Sequence, residues 1–265
     1  MYRMKMATRV GLAILLGLSI LGTSPESSSQ STRALDLAKY EVRNRIQASG
    51  FITSKPISSW GAIVGSKDKM VNLGEGDVVY VELDAGKEVK AGDRFSIARL
   101  GRVVTDPVSK KKIGNLVVIA GELVILEGKE KVVSVKVEKS YRSIYPGDKI
   151  IPPGAVMPAA MPTSIPKKIE GMVITTQEEI NNITQNEIIF INRGSQDGVI
   201  VGNLFSIYQK GHYGKEILER TKVRLPMAKV GEAVVISVQE ETCAAIVTLS
   251  SQAIYVGDKV ISGGE

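Results

Sequence analysis

Comparing the chain with itself constrains the fold more than any single motif does. Gly61-Ala-Ile-Val aligns with Gly171-Met-Val-Ile, Asp77-Val-Val-Tyr-Val with Glu187-Ile-Ile-Phe-Ile, and Gly92-Asp-Arg-Phe-Ser-Ile with Gly202-Asn-Leu-Phe-Ser-Ile, each pair 110 residues apart. The same offset carries Gly121-Glu122 onto Gly231-Glu232, and Ile144-Tyr-Pro-Gly-Asp-Lys-Ile-Ile151 onto Ile254-Tyr-Val-Gly-Asp-Lys-Val-Ile261, without a gap. Five segments held in one register identify an internal duplication, so one fold must be formed twice. Each copy, at about 100 residues, is long enough to bury its own core.

The copies are expected at residues 51–151 and 169–265. Between them, residues 152–168 contain Pro152, Pro153, Pro158, Pro162 and Pro166. Proline fixes φ and removes backbone donors, so this stretch reads as an extended linker.

Within a copy the pattern is that of short strands. Asp77 to Leu83 and Glu187 to Arg193 are rich in β-branched and aromatic residues, and each ends at a Gly-bearing corner. Phe95 and Ile97 lie two apart, as do Phe205 and Ile207, so each pair faces one side of a strand and is expected in the core. Leu116 to Leu126 and Met227 to Val238 read as the longest strands, with Gly121 and Gly231 marking a bulge or bend suited to a small closed sheet. Gly92, Gly202, Gly147 and Gly257 each precede Asp or Asn at a turn. The expected fold class is mainly β: two tandem homologous small β-barrel or sandwich domains, preceded by a signal peptide and one amphipathic helix.

That preceding region begins with Arg3, Lys5 and Arg9, followed by the apolar run from Val10 to Leu21 and then Gly22-Thr23-Ser24. A basic segment, an apolar stretch of about 12 residues and small residues have the layout of a secretory signal peptide, assigned to residues 1–24. No cysteine stands at the leader junction to receive a lipid, and Cys243 has no partner for a disulfide. The expected location is the periplasm. Residues 25–32 are polar and Ser-rich, a flexible tether. Residues 33–50 read as a helix capped by Thr32 and stopped by Gly50, with Leu35, Val42 and Ile46 on one face. It either packs on the first β domain or is a partner-docking or oligomerising helix.

The formal charge of +6 includes three leader cations, and without them 31 basic residues face 28 acidic ones. No nucleic-acid partner is expected from that balance. Lys110-Lys111-Lys112, the densest basic run, reads as a solvated hairpin tip.

The repeated acidic residues invite a catalytic reading. Asp148 and Asp258 follow turn glycines, where a carboxylate accepts backbone N–H bonds. Asp93 is replaced by Asn203 and Asp77 by Glu187, exchanges a turn tolerates better than a general acid does. Glu122 and Glu232 face either solvent or a shared partner surface. His212 and Cys243 are single and have no counterparts in the first copy, which leaves nucleophilic triads and Cys/His zinc sites poorly supplied. Tyr145 and Tyr255 recur and are read as core or domain contacts ahead of sugar stacking. No catalytic, cofactor or metal residue is assigned; Gly92, Phe95, Gly121, Gly147, Asp148, Gly202, Phe205, Gly231, Gly257 and Asp258 are assigned as structural turn and core positions.

The motifs Gly61-Ala-Ile-Val-Gly65, Gly76-Asp-Val-Val-Tyr-Val81, Gly92-Asp-Arg-Phe-Ser-Ile97, Asp106-Pro107, Lys112-Ile-Gly-Asn-Leu-Val117, Gly121-Glu-Leu123 and Gly147-Asp148 resemble the β module found after LysM domains in envelope proteins of Gram-negative bacteria. The second copy, through Ile191-Asn-Arg-Gly-Ser-Gln-Asp-Gly-Val199, is similar to the C-terminal domain of the flagellar assembly protein T family. The resemblance implies an envelope protein without catalytic residues. Residues 22–60 hold no βααβ pattern of a LysM domain, so peptidoglycan binding by LysM is not implied. The functional expectation is a non-enzymatic periplasmic scaffold or adaptor with outer-membrane, peptidoglycan or flagellar/motility partners, and self-association open. The alternative is direct peptidoglycan or carbohydrate binding. Function is expected on surfaces where the copies differ.

Overall fold

The computed structural model describes residues 42–67, 72–127, 131–153, 168–209, 213–215, 222–224 and 226–263. The expected leader and tether, residues 33–41 of the expected helix, residues 154–167 of the proline-rich stretch and His212 lie outside them.

The first copy forms β1 (Phe51–Thr53), β2 (Gly61–Ser66), β3 (Val78–Leu83), β4 (Arg94–Thr105), β5 (Lys112–Glu127), β6 (Val132–Ser140) and β7 (Lys149–Ile151). The second forms β8 (Ile169–Thr176), β9 (Ile188–Ile191), β10 (Leu204–Gln209), β11 (Tyr213–Lys215), β12 (Lys222–Arg224), β13 (Ala228–Val238), β14 (Cys243–Ser250) and β15 (Lys259–Ser262). The fold is mainly β, as the sequence pattern implies. In the second copy, β10, β13, β14, β9, β8 and β15 close a barrel. The first copy runs the same circuit strand for strand, β4, β5, β6, β3, β2, β7, with β1 added beside β5. Sixteen residues long, β5 pairs with β1 from Asn115 to Val117 and with β6 from Gly121 onwards.

Glycine permits the closure. A Cβ on Gly121 would collide with the Lys139 carbonyl oxygen, and one on Gly231 would stand 2.5 Å from that of Leu249. The ladder register slips beside both glycines, at Glu122/Leu123 and Glu232/Ala233. Such slips bend a strand enough to wrap a small sheet.

The corners reuse one device. Lys90 N–H donates to Asp93, Ile200 N–H to Asn203, Tyr145 N–H to Asp148 and Tyr255 N–H to Asp258, all at 2.7–2.9 Å. The intervening Gly92, Gly202, Gly147 and Gly257 take φ of 92–100°, a region that glycine enters without steric cost.

Each barrel encloses an apolar core. Phe95, Ile97, Leu123, Ile125, Val135 and Ile144 lie in the first, and Phe205, Ile207, Val235, Ala245, Val247 and Ile254 in the second. A third core joins the copies: Ile52, Val104 and Leu116 pack with Ile174, Ile188, Phe190, Val234, Ile236, Ala244 and Ile246. Val42 and Ile46 of the helix over residues 42–47 pack against it. The helix thus serves the junction between the copies. The proline-rich stretch gives no hint of this contact.

Candidate functional site

A duplicated fold separates what the barrel needs from what each copy adds. Side chains of a strand alternate between the two faces, so inward positions build the core and outward ones are free to differ. In the first copy β3 reads Val78-Val-Tyr-Val-Glu-Leu83, with alternate residues fully buried. In the second, β9 reads Ile188-Ile-Phe-Ile191 and is buried on both faces. Phe190 takes the place of Tyr80, and Ala244 and Ile246 take those of Ser134 and Lys136. Outward positions of the second barrel have become a contact surface.

The β4–β5 hairpin of the first copy supplies the other side. Beyond the apolar contacts of Val104 and Leu116, Arg102 donates from Nη2 to the Thr175 hydroxyl at 2.8 Å and to the Thr176 carbonyl at 2.6 Å. Its Nε lies 2.7 Å from Glu179. At the tip, Asn192 Nδ2 donates to Asp106, whose other carboxylate oxygen accepts the Val108 and Ser109 N–H groups. Those backbone bonds, Ser109 foremost, hold the Asp106 carboxyl below its ordinary pKa. The triple-lysine run borders this anchored tip.

The equivalent face of the first barrel has no such cover among the described residues. Val64, Leu126 and Val132 are 49%, 41% and 46% exposed, whereas their counterparts Ile174, Ile236 and Thr242 are each 3% exposed. Half-buried Val78, Tyr80 and Val124 continue the patch. Its rim is charged: Arg94 forks onto Glu138 at 2.8 and 3.0 Å, and Lys131 meets Glu82 at 2.6 Å. Exposed Lys136, opposite both Val78 and Val124, and half-buried Ser134, opposite Tyr80, stand within the patch; a mixed apolar and charged face of this kind has the composition of a non-obligate protein contact surface.

The residues assigned from sequence lie elsewhere. Phe95 and Phe205 are buried inside their barrels, Gly121 and Gly231 sit at the closures, and the four turn glycines, Asp148 and Asp258 form corners. Nothing brings them together into one site. Glu122 accepts a hydrogen bond from the Tyr141 hydroxyl at 2.6 Å, and Glu232 pairs with Lys229 at 2.7 Å. Cys243 is fully buried in β14, and burial pushes its thiol pKa up. Among the described residues no three His, Cys, Asp or Glu side chains are grouped to hold a metal. Tyr145 and Tyr255 are exposed, a correction to their reading as core or domain contacts. The Arg99 guanidinium lies over the Tyr145 ring at 4.7 Å.

The covering of the second barrel is what the sequence reading missed. Its signal was present: Leu204, Phe190, Ala244 and Ile246 replace Arg94, Tyr80, Ser134 and Lys136 at outward positions, a one-sided gain of apolar surface. No family model and no curated protein matches the chain.

Proposed function

We propose that this chain is a non-enzymatic scaffold or adaptor of the periplasm that holds together parts of a cell-envelope assembly at the outer membrane, the peptidoglycan or a flagellar motor. The observation that carries the reading is the open, partly apolar face of the first barrel around Val64, Leu126 and Val132. Its equivalent on the second barrel already binds protein, the hairpin of the first copy. The export-type leader and the resemblance to the LysM-associated module supply the compartment. Crosslinking in living cells followed by capture from envelope fractions tests it: specific envelope proteins should be recovered, and Val132→Asp should lose them. Recovery of nothing, or of the same proteins by the variant, would remove the reading.

A second reading, direct peptidoglycan binding, is favoured by one observation. Tyr145 and Tyr255 stand exposed at the same corner of the two barrels, where a ring could stack on sugar. Co-sedimentation with purified sacculi decides it: retention should fall for Tyr255→Ala, and a chain left wholly in the supernatant excludes the reading.

A further inference from the structure

The open face of the first barrel is made of outward positions on β2, β3, β5 and β6, and two of its charges stand at opposite ends. Along β6 the outward residues run Val132, Ser134, Lys136. On β3, Glu82 lies opposite Val132, Tyr80 opposite Ser134 and Val78 opposite Lys136. Lys136 is exposed and makes no ion pair among the described residues, the neighbouring Glu138 being taken by the Arg94 fork. Glu82 has a side chain 45% exposed and meets Lys131, itself 75% exposed, at the margin of the face. In the second barrel the same two positions are Ile246 and Asn192. The separated cation and anion therefore distinguish the open face from its covered twin.

The geometry points to a face that pairs with itself: two chains meet first barrel to first barrel about a two-fold axis passing at Ser134. This rests on the reading of that face as an interaction surface and names its occupant, a second copy of this chain. The charges select the direction of the axis. An axis running along β6 would set Lys136 against Lys136 of the second copy. An axis running across β6 exchanges the ends of the strand instead, so that Lys136 lies over Val132 of the second copy and one strand spacing, about 4.8 Å, from its Glu82. The methylene stem of Lys136 then covers that valine while the ammonium reaches the carboxylate. Symmetry makes the pair twice, once at each end of the contact. Between the two pairs Ser134 faces itself, and its small side chain leaves room for Tyr80 and Leu126 of both copies around the axis. The face is only partly apolar and its ion pairs lie near solvent, so the dimer is expected to be reversible and concentration-dependent.

Sedimentation velocity on the exported chain, purified from the envelope of an expressing host, tests this. The mass should rise with concentration to that of a dimer and no further. Lys136→Glu places like charges at both ends of the contact, and so does Glu82→Lys; each variant alone should dimerise at least about tenfold more weakly than the parent. Both side chains reach solvent, so circular dichroism should be unchanged. Mixed in equal amounts, the two variants should form a 1:1 dimer about as strong as the parent's, because the reversed charges meet at one end and the native pair at the other. Lys136→Ala and Glu82→Gln serve as second variants should a reversal disturb the fold, and each should weaken the dimer several-fold. A parent chain still monomeric at about 1 mM overturns the proposal. So does growth beyond a dimer, a dimer that neither substitution weakens, or a mixture no stronger than its components. A monomeric parent that still captures envelope proteins would end this proposal alone; a chain that dimerises but captures none would end the adaptor reading alone.

Discussion

Arg99 grips Asp148 with two parallel hydrogen bonds, Nε to Oδ1 and Nη2 to Oδ2, both 2.6 Å long. The carboxylate is buried and also accepts the Tyr145 N–H at 2.9 Å, while Nη2 reaches the Ser143 carbonyl at 3.0 Å. One side chain on β4 therefore fixes the corner that feeds β7, the strand that closes the first barrel. The bond between Asp148 and its corner was readable in the sequence; the partner 49 residues away was not, since nothing in a strand pattern announces which outward cation meets a turn.

Removing one member of such a pair leaves the other unsatisfied. Asp148→Ala should lower stability by about 3 kcal/mol, because the corner N–H and the guanidinium both lose their acceptor. Arg99→Ala should cost less than Asp148→Ala, since the Tyr145 N–H still holds the carboxylate. Urea unfolding of the variants and of the double variant measures the coupling; an additive double variant would deny it.

Phe190 and Tyr80 occupy equivalent positions on different surfaces. Phe190 is packed in the core between the copies, so Phe190→Ala should cost about 3–5 kcal/mol. Tyr80→Ala, on the open face, should cost under about 1 kcal/mol. Thermal unfolding of the two variants checks the difference; equal losses would mean that the junction contributes nothing to stability.

Glycines of two kinds should separate in the same assay. Gly147 has φ +97° but open space where a Cβ would stand, so Gly147→Ala should cost about 1–2 kcal/mol for the left-handed backbone. Gly231→Ala must push a methyl group against the Leu249 carbonyl and should exceed about 4 kcal/mol or fail to fold. A Gly231→Ala protein with parental stability would mean that the barrel closes without this close approach.

How much of this was legible follows from what repeats. Phe95, Ile97, Phe205 and Ile207 were readable as core because strand alternation fixes their side, and the 110-residue register tied each element to its twin. Barrel closure rests on pairings between strands far apart in sequence, such as β8 with β15, which local patterns do not encode. The face at Val64, Leu126 and Val132 was invisible for a different reason. Valine and leucine in a strand-rich chain look like core until the opposite positions are seen to be buried already.

Glu187 gives a prediction with a definite sign. Its counterpart Asp77 accepts the Gly74 N–H at 2.8 Å, whereas one carboxylate oxygen of the longer Glu187 is buried without a hydrogen-bond partner among the described residues. Burial raises its pKa above the ordinary glutamate range; Arg45 opposes the shift and Glu178 adds to it. The folded chain therefore holds this proton at pH values where the unfolded chain, with a pKa of about 4.3, has released it. Stability from this group is full below that value and is lost as pH rises through the higher folded one. Glu187→Gln removes the cost of the buried charge. The variant should unfold at a higher temperature than the parent at about pH 7, and the advantage should vanish near about pH 4, where the parent is itself protonated. Melting curves at the two pH values decide the matter: a variant less stable at neutral pH would show that attraction to Arg45 outweighs the burial of the carboxylate.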